Sequence, residues 1–246
     1  KNIGITISLI LPAKTEWFWV EELYKGINKA LKKYGGIILG GDCSQGNQKA
    51  ISITAFGIQG ELKLRRNACK PGEIILTTGI HGLSKLGFMI KSNMNFDNNV
   101  SLSERLISKS IEHFCRPRVH TNFLKHLLKT RSNKKINKLG CTDSSDGLFQ
   151  AVQDLAIASE CKAILNYEKI PKDRDWPLGD KWDEYYFFGG EDYELVFSLP
   201  KKWARNLIKL DKNINEIGYF EDGEPSIEFK DNQKDILLKN KPFKHF

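Results

Sequence analysis

The sequence predicts an α/β fold of the α+β kind, built as two domains. Three observations lead there: short apolar runs that end in glycine-acid turns, helical-period segments set between those runs, and a length of 246 residues against roughly 100–200 residues per domain. Hydrophobic residues make up 40% and charged residues 28% of the chain. No apolar run approaches the ~18 residues that cross a bilayer, so no membrane partner is expected.

Ile3 to Leu11 reads as a strand closed by Pro12, with Thr15 as the N-cap of the next helix. Val20, Leu23, Ile27, Ala30, Leu31 and Tyr34 form one helical face, and Gly35-Gly36 stops it. Ile37-Ile38-Leu39 reads as a short buried strand running into Gly40-Gly41-Asp42, which puts Asp42 at a carboxyl end, where open α/β sheets place ligands. The polar loop Cys43–Lys49 leads to a strand over Ala50 to Gly57. Pro71-Gly72 separates Arg65–Lys70 from the apolar run Ile74–Thr78, so the domains are expected at 1–70 and 71–246.

Residues 101–131 read as helical and basic, followed by a polar linker from Ser132 to Lys138. Leu148, Ala151, Val152, Leu155 and Ala156 recur at the helical period, which predicts a helix from Ser144 or Ser145 with Asp143 and Asp146 at its first turn. A strand near Ala163–Tyr167 and an irregular loop, Pro171–Trp182, come next. Gly189-Gly190-Glu191-Asp192 then turns into a strand through Phe197, and the tail runs from Ile217-Gly218 through Ile227–Phe229 to Phe243-Lys244-His245-Phe246.

The net charge of +8 suits an anionic partner. Its densest runs, Lys125–Lys138 and Lys230–Lys244, lack the interleaved aromatics of a base-stacking surface, so we expect no nucleic-acid partner. Five cysteines without a Cys-x-x-Cys pair point to a reducing compartment, read here as cytoplasmic, with neither zinc knuckle nor disulfide framework.

Three acidic turns carry the chemistry: Gly40-Gly41-Asp42, Asp143-Ser144-Ser145-Asp146-Gly147 and Gly189-Gly190-Glu191-Asp192. Glycine admits a ligand to the backbone, and aspartate supplies hard oxygen donors suited to magnesium carrying phosphates. Capping explains Asp and Ser at a helix start equally well. No P-loop exists: Gly79-Ile80-His81-Gly82-Leu83-Ser84-Lys85 has the wrong spacing, and kinase signatures are absent. Arg66 is a phosphate-clamp candidate or a solvated arginine, and His81 reads as a turn residue.

Taken with Arg65-Arg66-Asn67-Ala68-Cys69-Lys70-Pro71-Gly72, Gly189–Leu195 and the aromatic terminus, these motifs resemble the thiamine-monophosphate kinase family, which shares a superfamily with aminoimidazole-ribonucleotide synthetase. The resemblance spans essentially the whole chain. It implies the two-domain aminoimidazole-ribonucleotide synthetase-like fold with the nucleotide in the cleft between domains, a first domain lacking a preceding segment, and a homodimer. It also implies Mg2+ on Asp42, Asp143 and Asp146, the last two being the catalytic candidates; ATP at Arg66, Ser145 and Tyr24; and thiamine phosphate at Glu191 and Phe243. Cys43, Leu83 and Phe188 depart from the family's usual Thr, Asp and Ser. The implied reaction is ATP-dependent phosphorylation of thiamine monophosphate to the diphosphate. The alternatives are a sister phosphate-activating enzyme or a non-catalytic truncated form.

Overall fold

The computed structural model describes residues 2–94 and 100–230. The chain forms two compact units, one of residues 1–61 and one of residues 62–246. Residues 62–70, expected in the first domain, are in the second unit, where Lys63–Arg65 pairs into its sheet.

In the smaller unit, strand β1 (Asn2–Leu11) lies centrally, parallel to β2 (Ile37–Gln45) and antiparallel to β3 (Ala50–Gly57). Helix α1 (Trp17–Tyr34) connects β1 to β2. Alternate residues of β1 (Ile5, Ile7, Leu9) point to one face, where Ile27, Leu23, Tyr24 and Leu31 of α1 cover them. Gly35 ends α1 at φ 82°, a conformation that costs a glycine little.

Three expectations fail here. Thr15 is not the cap, since α1 starts one residue later with Glu16 as N-cap and no side-chain capping bond. Ile37, Ile38 and Leu39 are exposed rather than buried. The strand runs on through Gly40-Gly41-Asp42, with Asp42 opposite Ser8, so Asp42 is in mid-strand and not at a carboxyl end. Gly41 serves close strand contact rather than a turn: a Cβ there would fall 1.8 Å from the Ile7 carbonyl oxygen.

The larger unit is a seven-stranded mixed sheet in the order β10-β7-β9-β5-β8-β6-β4. Its strands are β4 (Lys63–Arg65), β5 (Ile74–Thr78), β6 (Lys138–Asp143), β7 (Lys162–Leu165), β8 (Leu195–Leu199), β9 (Ile214–Glu221) and β10 (Ile227–Phe229). Period-two alternation splits its apolar residues between two cores. Ile75, Val196, Ile217 and Phe220 face one core, completed by α2 (Leu83–Lys91), α3 (Glu104–Cys115), α5 (Leu148–Ala158) and α6 (Asp180–Phe188). Leu76, Phe197 and Leu199 face the other, built with α4 (Phe123–Thr130) and α7 (Lys201–Leu210). Helix α6 occupies part of the stretch expected as a loop, and buries Trp182, Tyr186 and Phe187. Among the described residues no helix is long and apolar enough to cross a membrane.

Candidate active site

Strand β6 ends at Asp143, which pairs with Leu195 of the antiparallel β8. The following residues do not continue into helix: α5 begins only at Leu148, because Gly147, at φ 95°, interrupts the path. Asp143 and Asp146 therefore sit on a strand end and a turn, not in the first turn of a helix as expected, and neither caps α5, which has no side-chain capping bond. Ser144 is the structural residue of this turn. It is fully buried, its N–H donates to the Glu194 carbonyl at 2.8 Å, and its Oγ accepts from the Glu194 N–H at 3.1 Å.

A second turn, 189–194, is stitched to the first. The Glu191 N–H donates to the Ser145 carbonyl at 2.7 Å, and a Cβ on Gly190 would meet that oxygen at 2.4 Å. Only glycine permits so close an approach of the two backbones. Along this turn side chains alternate: Glu191 and Tyr193 are exposed, while Asp192 and Glu194 are buried. Both Glu191 (φ 68°) and Tyr193 (φ 52°) occupy the left-handed region, which costs a residue with a Cβ about 1–3 kcal/mol and clusters at functional sites.

The inward pair braces the site. Asp192 accepts from the Gly82 N–H at 2.6 Å and the Ser84 N–H at 2.9 Å, satisfying the start of α2, which has no side-chain cap of its own. Burial, with the Glu194 charge adding to it, pushes the Asp192 carboxyl up to about 7 against the bonds from Ser84 and Gly82. Glu194 Oε2 accepts from Thr78 Oγ1 at 2.5 Å and pairs with His120 Nε2 at 2.7 Å. That hydrogen bond raises the His120 pKa. His81 is fully buried beside Thr77 Oγ1, and burial lowers its pKa to about 4, so it is neutral and structural, in line with its reading as a turn residue.

The outward groups line a cavity of about 410 Å³, within the roughly 300–1,000 Å³ range of small-molecule sites. Ser145 and Asp146 come from the first turn, Glu191 and Tyr193 from the second. Phe88, Phe114 and Phe188 form apolar wall, and Lys85 of α2 adds a cation. Burial first, then the charges of Glu191, Asp143 and Asp146, push the Tyr193 phenol upward.

Arg66 lies beside this cluster. Its Nε donates to Thr142 Oγ1 at 3.1 Å and its Nη1 lies 3.4 Å from Asp154 Oδ2, so it is oriented on the strand that ends in Asp143 while remaining exposed. Asp42, exposed in β2, and Tyr24, half-buried on α1, belong to the smaller unit. Phe243 lies outside the described residues. Of the three departures, Cys43 is exposed, Leu83 is a fully buried core residue, and Phe188 packs on Phe149 at 5.1 Å between centroids while lining the cavity.

Asp143 and Asp146 offer hard oxygen donors. Among the described residues no group of three or more His, Cys, Asp or Glu is placed to hold a metal ion. That donor set suits magnesium, which binds through one or two carboxylates together with waters and substrate phosphates, better than a metal needing a full protein cage. Sequence reasoning missed Asp192, Glu194, Ser144, Tyr193 and Lys85. The alternation inside Gly-Gly-Glu-Asp-Tyr-Glu was the available signal for the first, second and fourth.

The family model described as AIR synthase related protein, N-terminal domain, matches residues 1–59. A solved structure of AaThiL complexed with AMPPCP and TMP superposes with a TM-score of 0.80 at 28% identity, covering 100% of this chain and 74% of that one. A crystal structure of a hydrogenase maturation protein HypE, at 15% identity and a TM-score of 0.66, shares the fold. The expected aminoimidazole-ribonucleotide synthetase-like fold is thus the observed one. The thiamine-monophosphate kinase of Buchnera aphidicola subsp. Schizaphis graminum is 32% identical over 100% of this chain and 75% of its own. That of Prochlorococcus marinus is 37% identical over 99% of this chain and 73% of its own. Likeness of that extent, carried on the same fold with both acidic turns at one cavity, places the chain in the thiamine-monophosphate kinase family.

Proposed function

We propose that this protein transfers the γ-phosphoryl group of ATP to the phosphate of thiamine monophosphate, giving thiamine diphosphate by direct in-line attack. One observation carries the reading most of the way: the Ser145–Glu191 backbone bond fixes two functional turns against each other, so acidic and aromatic groups open onto one cavity. The relatives bearing the activity's name, and the AaThiL complex with AMPPCP and TMP, support it from outside this chain.

The chemical task is to bring two anions together, so the protein's work is positioning and charge neutralisation rather than covalent catalysis. Asp143, Asp146 and Asp42 would hold magnesium, which would supply charge neutralisation where donor and acceptor phosphates meet. Arg66, held at its Nε by Thr142, presents its guanidinium nitrogens to ATP phosphates. Ser145 and Tyr24 are assigned to the nucleotide. Glu191 is assigned to the cationic or amino-bearing part of thiamine, and Phe243 to one of its rings. The smaller unit then serves ATP and magnesium. We further infer a homodimer in the cytoplasm, without nucleic-acid partner.

Formation of thiamine diphosphate from thiamine monophosphate, ATP and magnesium tests the reading. Asp143→Asn and Asp146→Asn are expected to lower turnover at least about a hundredfold at unchanged melting temperature. Undiminished turnover in both, or product only from a different phosphate acceptor, overturns it.

A further inference from the structure

Among the described residues Lys85 is the only cation lining the cavity, and Asp146 and Glu191 share that lining. Among the described residues it forms no ion pair. Its recorded neighbour is the Phe88 ring, whose centroid lies 5.8 Å from Nζ. The stem is fixed from the other side: a Cβ on Gly189 would lie 2.7 Å from Lys85 Cβ and 2.1 Å from the Tyr185 carbonyl oxygen, so the Gly-Gly turn leaves that space to the lysine. Lys85 is half-buried. Its ammonium is thus held at a cavity wall without a carboxylate partner of its own.

Its place in α2 is informative. A cation in the first turn of a helix opposes the helix dipole, where an anion would be favoured. Two of the N–H groups at this helix start, the usual recipients of an anion, are already taken: Asp192 accepts from those of Gly82 and Ser84. A phosphate entering this cavity would meet two carboxylates, Asp146 and Glu191, and a helix start at which Asp192 already occupies two N–H groups. Among the described residues Lys85 is the one group in the lining with positive charge to offer it.

We propose that Lys85 is a substrate-binding residue that takes the phosphate of the acceptor, while the aromatic walls and Glu191 take its organic part. The proposal rests on the phosphoryl-transfer reading above and names, within it, what distinguishes thiamine monophosphate from unphosphorylated thiamine. A thiamine ring system could use Phe88, Phe114 and Tyr193 without Lys85; only the phosphate requires it. A phosphate near neutral pH carries close to two negative charges, and a lysine ammonium meets it as a point charge with three donors.

The test compares wild-type protein with Lys85→Met, which keeps the stem, and Lys85→Arg, which keeps the charge. The readouts are KM for thiamine monophosphate, KM for ATP, and the inhibition constant of thiamine. Losing one charge-assisted contact corresponds to about a ten- to hundredfold weakening. Lys85→Met is expected to raise KM for thiamine monophosphate by that factor, with KM for ATP and inhibition by thiamine within about twofold of wild type, and Lys85→Arg to recover most of the loss. An unchanged KM for thiamine monophosphate in Lys85→Met overturns the proposal, as does an equal loss of thiamine inhibition or a rise confined to ATP. A wild-type protein that makes no thiamine diphosphate overturns the reading beneath it; an active wild type with an indifferent Lys85→Met overturns the proposal alone.

Discussion

Asp192 makes the brace of the site measurable through pH. Its carboxyl is buried and pushed up to about 7 from an ordinary value of 3.8. Because the folded form holds the proton more tightly than the unfolded chain does, the native state binds more protons between those two values, and stability falls as pH rises across them. The stabilisation is full below about 4 and lost as pH climbs through about 7. Three pKa units at about 1.36 kcal/mol each amount to about 4 kcal/mol. In Asp192→Asn the site is neutral throughout, so that slope disappears, and every other titrating group cancels in the difference between the two proteins. Urea unfolding at pH 4.5, 6 and 8, followed by tryptophan fluorescence, reads this directly, since the Trp176 ring lies against Gly82 at the same helix start. The stability of Asp192→Asn relative to wild type is expected to rise by about 3–4 kcal/mol over that interval. Asp192→Ala, likewise neutral throughout, should show the same rise with pH while lying about 1–3 kcal/mol below Asp192→Asn, because it leaves both buried N–H groups without an acceptor. A wild-type-minus-Asn difference flat to within about 0.5 kcal/mol from pH 4.5 to 8 would refute the assignment of a raised carboxyl at the α2 start.

Two further outcomes concern the same brace. Gly190→Ala would put a Cβ 2.4 Å from the Ser145 carbonyl oxygen; the turns must part, and kcat/KM for thiamine monophosphate is expected to fall at least about tenfold, a loss that displacement of reacting groups by a fraction of an ångström suffices to cause. His120→Asn should destabilise the protein by about 2 kcal/mol at pH 6 through loss of the bond to Glu194. The folded pKa of His120 is raised above its usual 6.5, so this deficit should be full below about 6.5 and shrink as pH rises through the folded value; a deficit growing with pH in thermal melts contradicts the pairing.

The strands were legible where β-branched runs end in glycine or a turn residue: Ala50–Gly57 and Ile74–Thr78 occur at the expected bounds. Helix α5 was legible from its period, since every residue of the periodic stripe is buried, with Phe149 added beside it. Its start was not, because whether Ser144–Gly147 joins the helix depends on Glu194, fifty residues away, which engages Ser144 through two bonds. Ile37-Ile38-Leu39 misled for a related reason. An apolar run reports a preference for burial, whereas burial itself requires a neighbouring layer, and α1 covers β1 rather than β2. Glycines at 40 and 41 carry two meanings, turn or close strand contact, and only the pairing with Thr6 and Ile7 decides between them. Lys85 was seen in the sequence only as part of a failed P-loop spacing; its significance depends on the cavity that α2 and the Gly-Gly turn form together.

The turn 189–194 shows why site and fold cannot be separated in this chain. In this turn successive side chains go to opposite sides: the inward pair holds α2, β5 and the loop bearing His120, while the outward pair lines the cavity. The left-handed conformations of Glu191 and Tyr193 cost stability, and persist because their neighbours Asp192 and Glu194 are each fixed by two hydrogen-bonding partners in the core. A substitution at an inward position therefore reaches activity through geometry: it releases the outward neighbours from strained conformations and lets the Ser145–Glu191 bond lengthen. A substitution at an outward position changes contacts in the cavity and leaves the brace intact. The two kinds separate experimentally, since inward variants should lower stability and kcat together, and outward variants should alter KM at constant melting temperature. Lys85 belongs by position to the outward set although it stands on α2, because Asp192 holds the helix start and leaves the lysine's ammonium to the cavity.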